Sequence, residues 1–72
     1  MSSVHSGRYR TFLVRLRQAR KAAELTQAEV AARLGRPQSY VSKSESGERR
    51  VDVVELDEFA QVYRRPLSYF VS

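Results

Sequence analysis

Residues 26–48 read TQAEVAARLGRPQSYVSKSESGE, and this stretch decides the fold. Thr26, with Glu29 three residues later, matches a capping box, in which each side chain accepts a hydrogen bond from the other residue's backbone N–H. A helix is therefore predicted to begin here. Gly35 stands where a left-handed residue would end that helix, since only glycine adopts this conformation without steric cost. Between Thr26 and Gly35, apolar residues recur at helical spacing and form one face of the helix: Val30, Ala31 and Leu34.

A second short helix is predicted directly after the turn. Pro37 cannot continue the first helix and suits the start of another, which we expect at about residues 38–45, with Gly47 ending it. Two helices joined by so tight a turn approach closely at about 90–120°. The small or β-branched residues that allow this approach are Ala31, Gly35 and Val41.

The stretch resembles the helix-turn-helix of the phage repressor and Cro family, also called the xenobiotic-response-element-like (XRE) regulators. The matching residues are TQAEVA at 26–31, Leu34-Gly35, Val41-Ser42-Lys43, Glu45, Gly47 and Glu48. The resemblance covers nearly the whole chain beyond the first seven residues. It implies an all-α, compact five-helix, lambda-repressor-like DNA-binding domain.

Two residues depart from the family pattern. Ser44 stands where a large apolar residue is usual, which predicts a looser end to the second helix. Arg36 is a long charged residue in the turn, where it adds a candidate phosphate contact.

The size and composition set limits on how the chain is stabilised. Seventy-two residues make one domain, and a domain this small buries only about 60% of the surface that its unfolded chain exposes. The chain contains no cysteine, and its single histidine, His5, lies in a polar start. Neither a disulfide nor a structural zinc is expected, so helix packing or a partner subunit must supply stability. We expect no cofactor, and so thin a core leaves hardly any room for a small-molecule pocket.

The flanking sequence supplies the remaining helices. Residues 1–7 are small and polar and predict a flexible tail, so the helix-turn-helix domain is expected over residues 8–72. Apolar residues at three- and four-residue spacing predict a first helix over about 9–23. A second capping box, Asp52 with Glu55, predicts a helix over about 53–63, and Pro66 opens a last turn or helix.

The expected location of the chain is compatible with a nucleic-acid partner, and the distribution of its charge favours one. No apolar run approaches the roughly 18 residues that span a bilayer, and no signal-peptide pattern is present, so we expect a cytoplasmic protein with no membrane partner. An arginine-rich start also fits a mitochondrial transit peptide, but without residues 1–23 the rest could hardly bury a core. Of a net charge of +5, residues 1–23 carry six Lys/Arg and no acid, whereas residues 52–72 carry two Lys/Arg and four acids. This asymmetry fits a domain that docks one face on double-stranded DNA, although a solvated helix gives similar counts.

Three side chains of the second helix are the predicted base readers. The Gln38 amide suits a bidentate contact with adenine N6 and N7, Ser39 can donate or accept, and Lys43 can reach guanine O6 or N7. These residues match the base-contacting positions of the family. The plain alternative is that they are only solvent-exposed helix residues.

The predicted phosphate contacts surround these readers. Gln27 leads them, because it joins an amide donor to the free N–H groups and positive dipole end of its helix, and the resemblance implies the same role. Tyr40 is equally consistent with a packing role. The further candidates are Ser42, Arg49, Arg36 and Arg50. The resemblance also implies a structural ion pair between Arg20 and Glu45, for which the alternative is a solvated arginine.

Catalysis and metal binding find no support, since the chain has no nucleophile and base set, phosphate loop or metal-ligand motif. The leading interpretation is a sequence-specific transcriptional repressor, bacterial or phage-encoded and nucleoid-associated when bound, that reads two half-sites about 34 Å apart as a homodimer. The last segment could close its own core or bury apolar groups against a second copy, the candidates being Leu67, Tyr69 and Phe70. Two alternatives remain: an antitoxin or other module that grips a protein such as a toxin, and a restriction-modification controller.

Overall fold

A computed structural model describes residues 6–71, which form five α-helices. In chain order these are α1 (Gly7–Ala22), α2 (Gln27–Leu34), α3 (Gln38–Ser46), α4 (Val53–Tyr63) and α5 (Leu67–Phe70). The all-α, five-helix architecture predicted from the sequence is confirmed.

Both predicted capping boxes are present. The Glu29 backbone N–H donates to Thr26 Oγ1 at 3.1 Å, and the Thr26 N–H donates back to Glu29 Oε1 at 2.8 Å. Asp52 and Glu55 make the same exchange at 2.8 and 3.0 Å, which fixes the start of α4 at the predicted residue. Each reciprocal pair satisfies two backbone donors that a helix start would otherwise leave without partners.

The turns on either side of α3 use left-handed glycines, as expected. Gly35 has φ of 67° and Gly47 has φ of 88°. The end of α4 is different, because Arg64 takes the left-handed conformation at φ of 57° although it carries a side chain. Its backbone N–H bonds to the carbonyls of Ala60 and Gln61, which closes the helix.

The first helix begins earlier than its apolar periodicity predicts. Ser6 caps it, since its Oγ accepts from the Tyr9 backbone N–H at 3.1 Å, and Gly7 is already helical. The flexible tail expected over residues 1–7 therefore does not include Ser6 and Gly7. The other five residues of that tail, with His5 among them, lie outside the described residues.

The core lies where the five helices meet. α2 packs on α3, α1 contacts α3 and α5, and α4 contacts α2 and α5. The largest fully buried apolar side chains come from all five helices: Leu16, Val30, Val41, Phe59 and Phe70. α1 is therefore an integral part of the fold, as its apolar stripe predicted.

The last helix joins the core mainly through Phe70, with Tyr69 packed beside it. Phe70 is only 1% exposed, so of the two roles that the sequence left open for it, closing the core of its own subunit is correct and the dimer contact is wrong. Tyr69 is half-buried and lies edge-on to Phe70, with ring centroids 5.0 Å apart. Leu67 stays 38% exposed and is the one member of the predicted trio that projects largely into solvent.

Candidate nucleic-acid interface

The helix-turn-helix is held by the small residues that the sequence singled out. Ala31 and Val41 are 3% and 0% exposed, and Gly35 forms the turn between α2 and α3. Ser44 is also fully buried, and its hydroxyl donates to the Tyr40 carbonyl at 2.7 Å. A bonded hydroxyl is tolerated in a core. The end of α3 is thus closely packed, contrary to the looser end expected from Ser44.

The three predicted base readers all lie on the surface. Gln38 and Ser39 form the start of α3 and Lys43 lies about one turn further on, and all three are exposed. The Gln38 Nε2 approaches Gln27 Oε1 at 3.5 Å, the long limit of a hydrogen bond. Ser42 is half-buried, and its hydroxyl makes only a similarly long contact with the Ser39 carbonyl.

A buried ion pair lies behind these readers. Arg20 Nε and Nη2 donate to the two carboxylate oxygens of Glu45 at 2.6 and 3.1 Å, and the side chains are 14% and 3% exposed. The pair implied by the resemblance is therefore present. The hydrogen bonds to the Glu45 carboxylate raise the pKa of Arg20 above its ordinary value. The Arg17 Nη1 adds a bond to the Glu45 carbonyl at 2.8 Å, a link between α1 and α3 that no local pattern indicated.

Gln27 connects the ion pair to the surface. Its Nε2 donates to Glu45 Oε1 at 3.0 Å, while its Oε1 faces Gln38. One N–H of the side-chain amide, predicted as a phosphate donor, is thus engaged within the protein. The backbone N–H groups of Gln27 and Ala28 lie in the first turn of α2, where a helix offers them no acceptor.

Tyr40 is a core residue. It is 8% exposed, its hydroxyl is buried without a partner among the described residues, and its ring stacks on Phe59 with centroids 5.8 Å apart. Burial raises the pKa of the phenol. A hydroxyl that no solvent reaches cannot bind a phosphate, so the predicted phosphate contact of Tyr40 is wrong and the packing alternative is correct.

Two predicted phosphate-binding arginines lie close to the Tyr40 ring, where each has an acidic partner. The guanidinium carbons of Arg36 and Arg49 are 4.4 and 4.3 Å from the ring centroid. Arg49 forms a bidentate pair with Glu55 at 2.6 and 3.1 Å, and Arg36 pairs with Glu58 at 3.4 Å. Pairing raises the pKa of Arg49 and lowers that of Glu55. Reasoning from the sequence missed these acidic partners, because Glu55 lies six positions from Arg49 and Glu58 lies 22 positions from Arg36.

Arg50 differs from these two arginines. It is exposed, and its guanidinium lies 4.5 Å from the centre of the Tyr9 ring, on the side of the connection that faces α1. Within residues 6–71 it has no ion-pair partner. Arg50 therefore lies apart from Arg36 and Arg49, although the sequence predicts all three as phosphate contacts.

Two other kinds of site are absent from the described part of the chain. None of the helices in residues 6–71 is both long and apolar enough to cross a membrane. The same residues contain no cluster of three or more His, Cys, Asp or Glu side chains placed to hold a metal ion.

Comparisons with known proteins agree with the geometry. The family described as "Helix-turn-helix domain" matches residues 12–68. Among solved structures, an XRE-family like protein from Pseudomonas syringae pv. tomato str. DC3000 superposes with a TM-score of 0.82 at 49% identity, over 88% of this chain and 77% of that one. No curated protein sequence matches the chain. A fold of this type is typical of non-enzymatic regulators. The chain belongs to the XRE-type helix-turn-helix family and is a DNA-binding transcription regulator.

Proposed function

We propose that the protein is a sequence-specific repressor that binds an operator as a homodimer and reads the major groove with α3. The observation that carries this proposal is the position of Gln38, Ser39 and Lys43, which are exposed together on the start and middle of α3. A helix presents its N-terminal residues to base edges in this mode of binding. Repression is the simplest consequence of occupying an operator.

The hydrogen bonds behind Gln38 support its role as the adenine reader. Glu45 accepts from the Gln27 amide nitrogen, which turns the Gln27 oxygen toward the Gln38 nitrogen. One N–H of Gln38 is used in this contact, and its second N–H and its oxygen are left for DNA. Adenine requires one donor to N7 and one acceptor from N6, which is the set that remains.

The proposed phosphate contacts are revised by the contacts inside the protein. The N-terminal turn of α2, with the free N–H groups of Gln27 and Ala28, suits a phosphate oxygen because the helix dipole is positive there. Ser42 and Arg50 remain candidates. Arg36 and Arg49 also remain, although each must share its charge with a carboxylate of α4.

The dimensions of the domain support two copies on adjacent half-sites. The described residues measure 32 × 25 × 21 Å. Half-sites on one face of the duplex lie about 34–36 Å apart. Two such domains come near enough for a direct contact only when the 32 Å dimension lies along the duplex. Leu67 is the residue that we propose for it, with half-buried Tyr69 beside it.

One observation favours the second candidate function, a module that binds another protein such as a toxin. Val53 and Val54 begin α4 and are 70% and 66% exposed, and exposed apolar groups in a cluster mark interaction sites. A restriction-modification controller shares the physics of the leading proposal and is one biological setting for it.

Selection of bound sequences from random DNA tests the proposal at about 150 mM salt, where sequence-blind binding is weak. A repressor of this kind should select a palindrome. A protein-binding module should select none and should show only salt-sensitive, sequence-blind binding.

Substitution of Gln38 by alanine then tests its proposed role as a base reader. Gln38→Ala should weaken binding to the selected site by about 1–3 kcal/mol and relax the preference at one base position. Gln61→Ala is the matched control, since Gln61 is an exposed helical glutamine whose side chain bonds to Asp57 on the same helix. Equal losses on the selected site and on random DNA for Gln38→Ala would exclude this role.

A further inference from the structure

An open groove of about 520 Å³ lies away from the proposed base readers. It is bounded by the start of α1, by the connection between α3 and α4 with the first turns of α4, and by the end of the described chain. Pockets that bind small molecules have volumes of roughly 300–1,000 Å³ and are mostly apolar. The groove falls within this range. It does not conflict with the expectation that the thin core leaves hardly any room for a pocket, because the space lies between elements rather than inside the core.

The groove has an apolar floor and apolar walls. Phe12, Leu56 and Phe70 line it and are 6%, 7% and 1% exposed, so they form a packed base. Val53 and Val71 also line it, yet they are 70% and 51% exposed. A ligand in the groove would remove this valine surface from water, which stabilises a complex by about 25 cal/mol for each Å² covered.

The polar groups of the groove carry an excess of positive charge. Arg8 and Arg50 line it, and neither has a carboxylate within ion-pair distance among residues 6–71. Asp52 lines the same groove and keeps its negative charge while its Oδ1 accepts from the backbone N–H of Glu55 at 2.8 Å. The site thus combines an apolar base with a net positive charge, because the two arginines outnumber the one carboxylate.

The cation beside the floor is held in a defined position. Val51 donates its backbone N–H to the Tyr9 hydroxyl oxygen at 3.1 Å, which anchors the Tyr9 ring to the connection before α4. The Arg50 guanidinium lies 4.5 Å from the centre of that ring. Because a guanidinium binds a carboxylate through paired N–H donors, Arg50 can keep its ring contact and still offer a bidentate edge to an anion.

We propose that this groove binds a small amphipathic monocarboxylate. The apolar body lies on Phe12 and Leu56 between the two valines, and the carboxylate lies at Arg50 and Arg8. A medium-chain aliphatic or an aromatic acid has this chemistry. The groove contains none of the readers on α3 and shares only Arg50 with the candidate phosphate contacts, so its occupancy can be measured without DNA.

Titration of the full chain with octanoate, followed by ¹H–¹⁵N NMR without DNA, tests the proposal. Saturable shifts are expected for the backbone amides of Thr11, Val53 and Val71. Val53→Glu should weaken octanoate binding by about tenfold or more, because it removes an apolar wall and adds a like charge. Val54→Glu is the matched control: Val54 is the next residue of the same helical turn, is similarly exposed and lies outside the groove, so binding should stay within about twofold.

Titration with neutral octanamide tests whether the arginine charges contribute to binding. Octanamide should bind about tenfold more weakly than octanoate. Equal binding of the two compounds, equal effects of the two glutamate variants, or no saturable shift would each overturn the proposal. So would groove shifts that follow protein concentration alone, since a second copy would then be the occupant. Nuclear Overhauser contacts between the groove and residues 1–5 would identify the chain's own start as the occupant and would likewise overturn it.

Discussion

Replacing Glu45 by alanine removes the acceptor on which the links between α1, α2 and α3 converge. The carboxylate, 3% exposed as a side chain, accepts two bonds from Arg20 and one from Gln27. Glu45→Ala would leave the Arg20 guanidinium, itself only 14% exposed, without its anion. Breaking a buried pair by removing one partner typically lowers the free energy of unfolding by about 3–5 kcal/mol, because an uncompensated charge stays buried.

The size of this loss is large for so small a domain. At about 0.05–0.15 kcal/mol per residue, a 72-residue chain has an unfolding free energy of about 4–11 kcal/mol. Glu45→Ala should therefore remove between about a quarter and all of the stability. Glu45→Gln keeps the shape and one acceptor oxygen, so we expect it to lose less.

Urea denaturation followed by circular dichroism measures these losses. Glu48→Ala is the matched control, because Glu48 is exposed and has no ion pair within residues 6–71, and it should change stability by less than about 0.5 kcal/mol. A double-mutant cycle with Arg20→Met isolates the coupling within the pair. A loss below about 1 kcal/mol for Glu45→Ala, or a coupling near zero, would refute the reasoning.

Three other substitutions test local parts of the structure. Gly35→Ala should lower the unfolding free energy by about 1 kcal/mol, because the left-handed backbone at φ of 67° strains any side chain although nothing lies within 4 Å of the new Cβ; an unchanged urea midpoint would contradict this. Arg49 lowers the pKa of Glu55 in the folded state, so as pH falls the unfolded chain takes up a proton at Glu55 before the folded chain does. The stabilisation from the Arg49–Glu55 pair is complete above the ordinary pKa of about 4.3 and is lost as pH falls through the lowered pKa. Glu55→Gln should therefore shrink the difference in Tm between neutral and acidic pH, whereas the control Glu48→Gln should leave it unchanged; the same difference in both variants would exclude the pair as its source. Leu67→Glu should convert a dimer to a monomer in analytical ultracentrifugation while the circular dichroism spectrum is retained, and a dimer that persists would exclude Leu67 from the contact.

The parts of the fold that local chemistry determines could be predicted from the sequence. A capping box joins residues three apart, so Thr26 and Asp52 identified the starts of two helices without knowledge of their neighbours. Left-handed turns at Gly35 and Gly47 follow from the same short-range logic. Spacing also identified α3 and its exposed face, because helical periodicity separates a buried Val41 from an exposed Lys43.

Apart from the Arg20–Glu45 pair, which the resemblance implies, the parts that depend on distant residues could not be predicted. Tyr40 was divided between packing and phosphate binding because its fate depends on Phe59, which is nineteen positions further along the chain. The sequence leaves Phe70 open between its own core and an intersubunit contact, because nothing in a short terminal segment shows which side of it meets the core. The groove is a similar case, since Phe12 and Val71 meet only when the two ends of the chain are brought together.

The contacts around Tyr40 change how the positive charge of the interface should be counted. A cation that neutralises a phosphate releases counterions and steepens the salt dependence of binding by about 0.9 for each phosphate. Arg49 is already neutralised by Glu55 in a bidentate pair, so bringing both residues to DNA adds almost no net charge. Its contribution to binding therefore depends on whether a phosphate can displace that carboxylate. Arg50 and Lys43 have no ion-pair partner within residues 6–71, and each contributes its full positive charge if it reaches a DNA phosphate. The acids of α4, rather than the number of arginines, thus set how strongly salt weakens DNA binding.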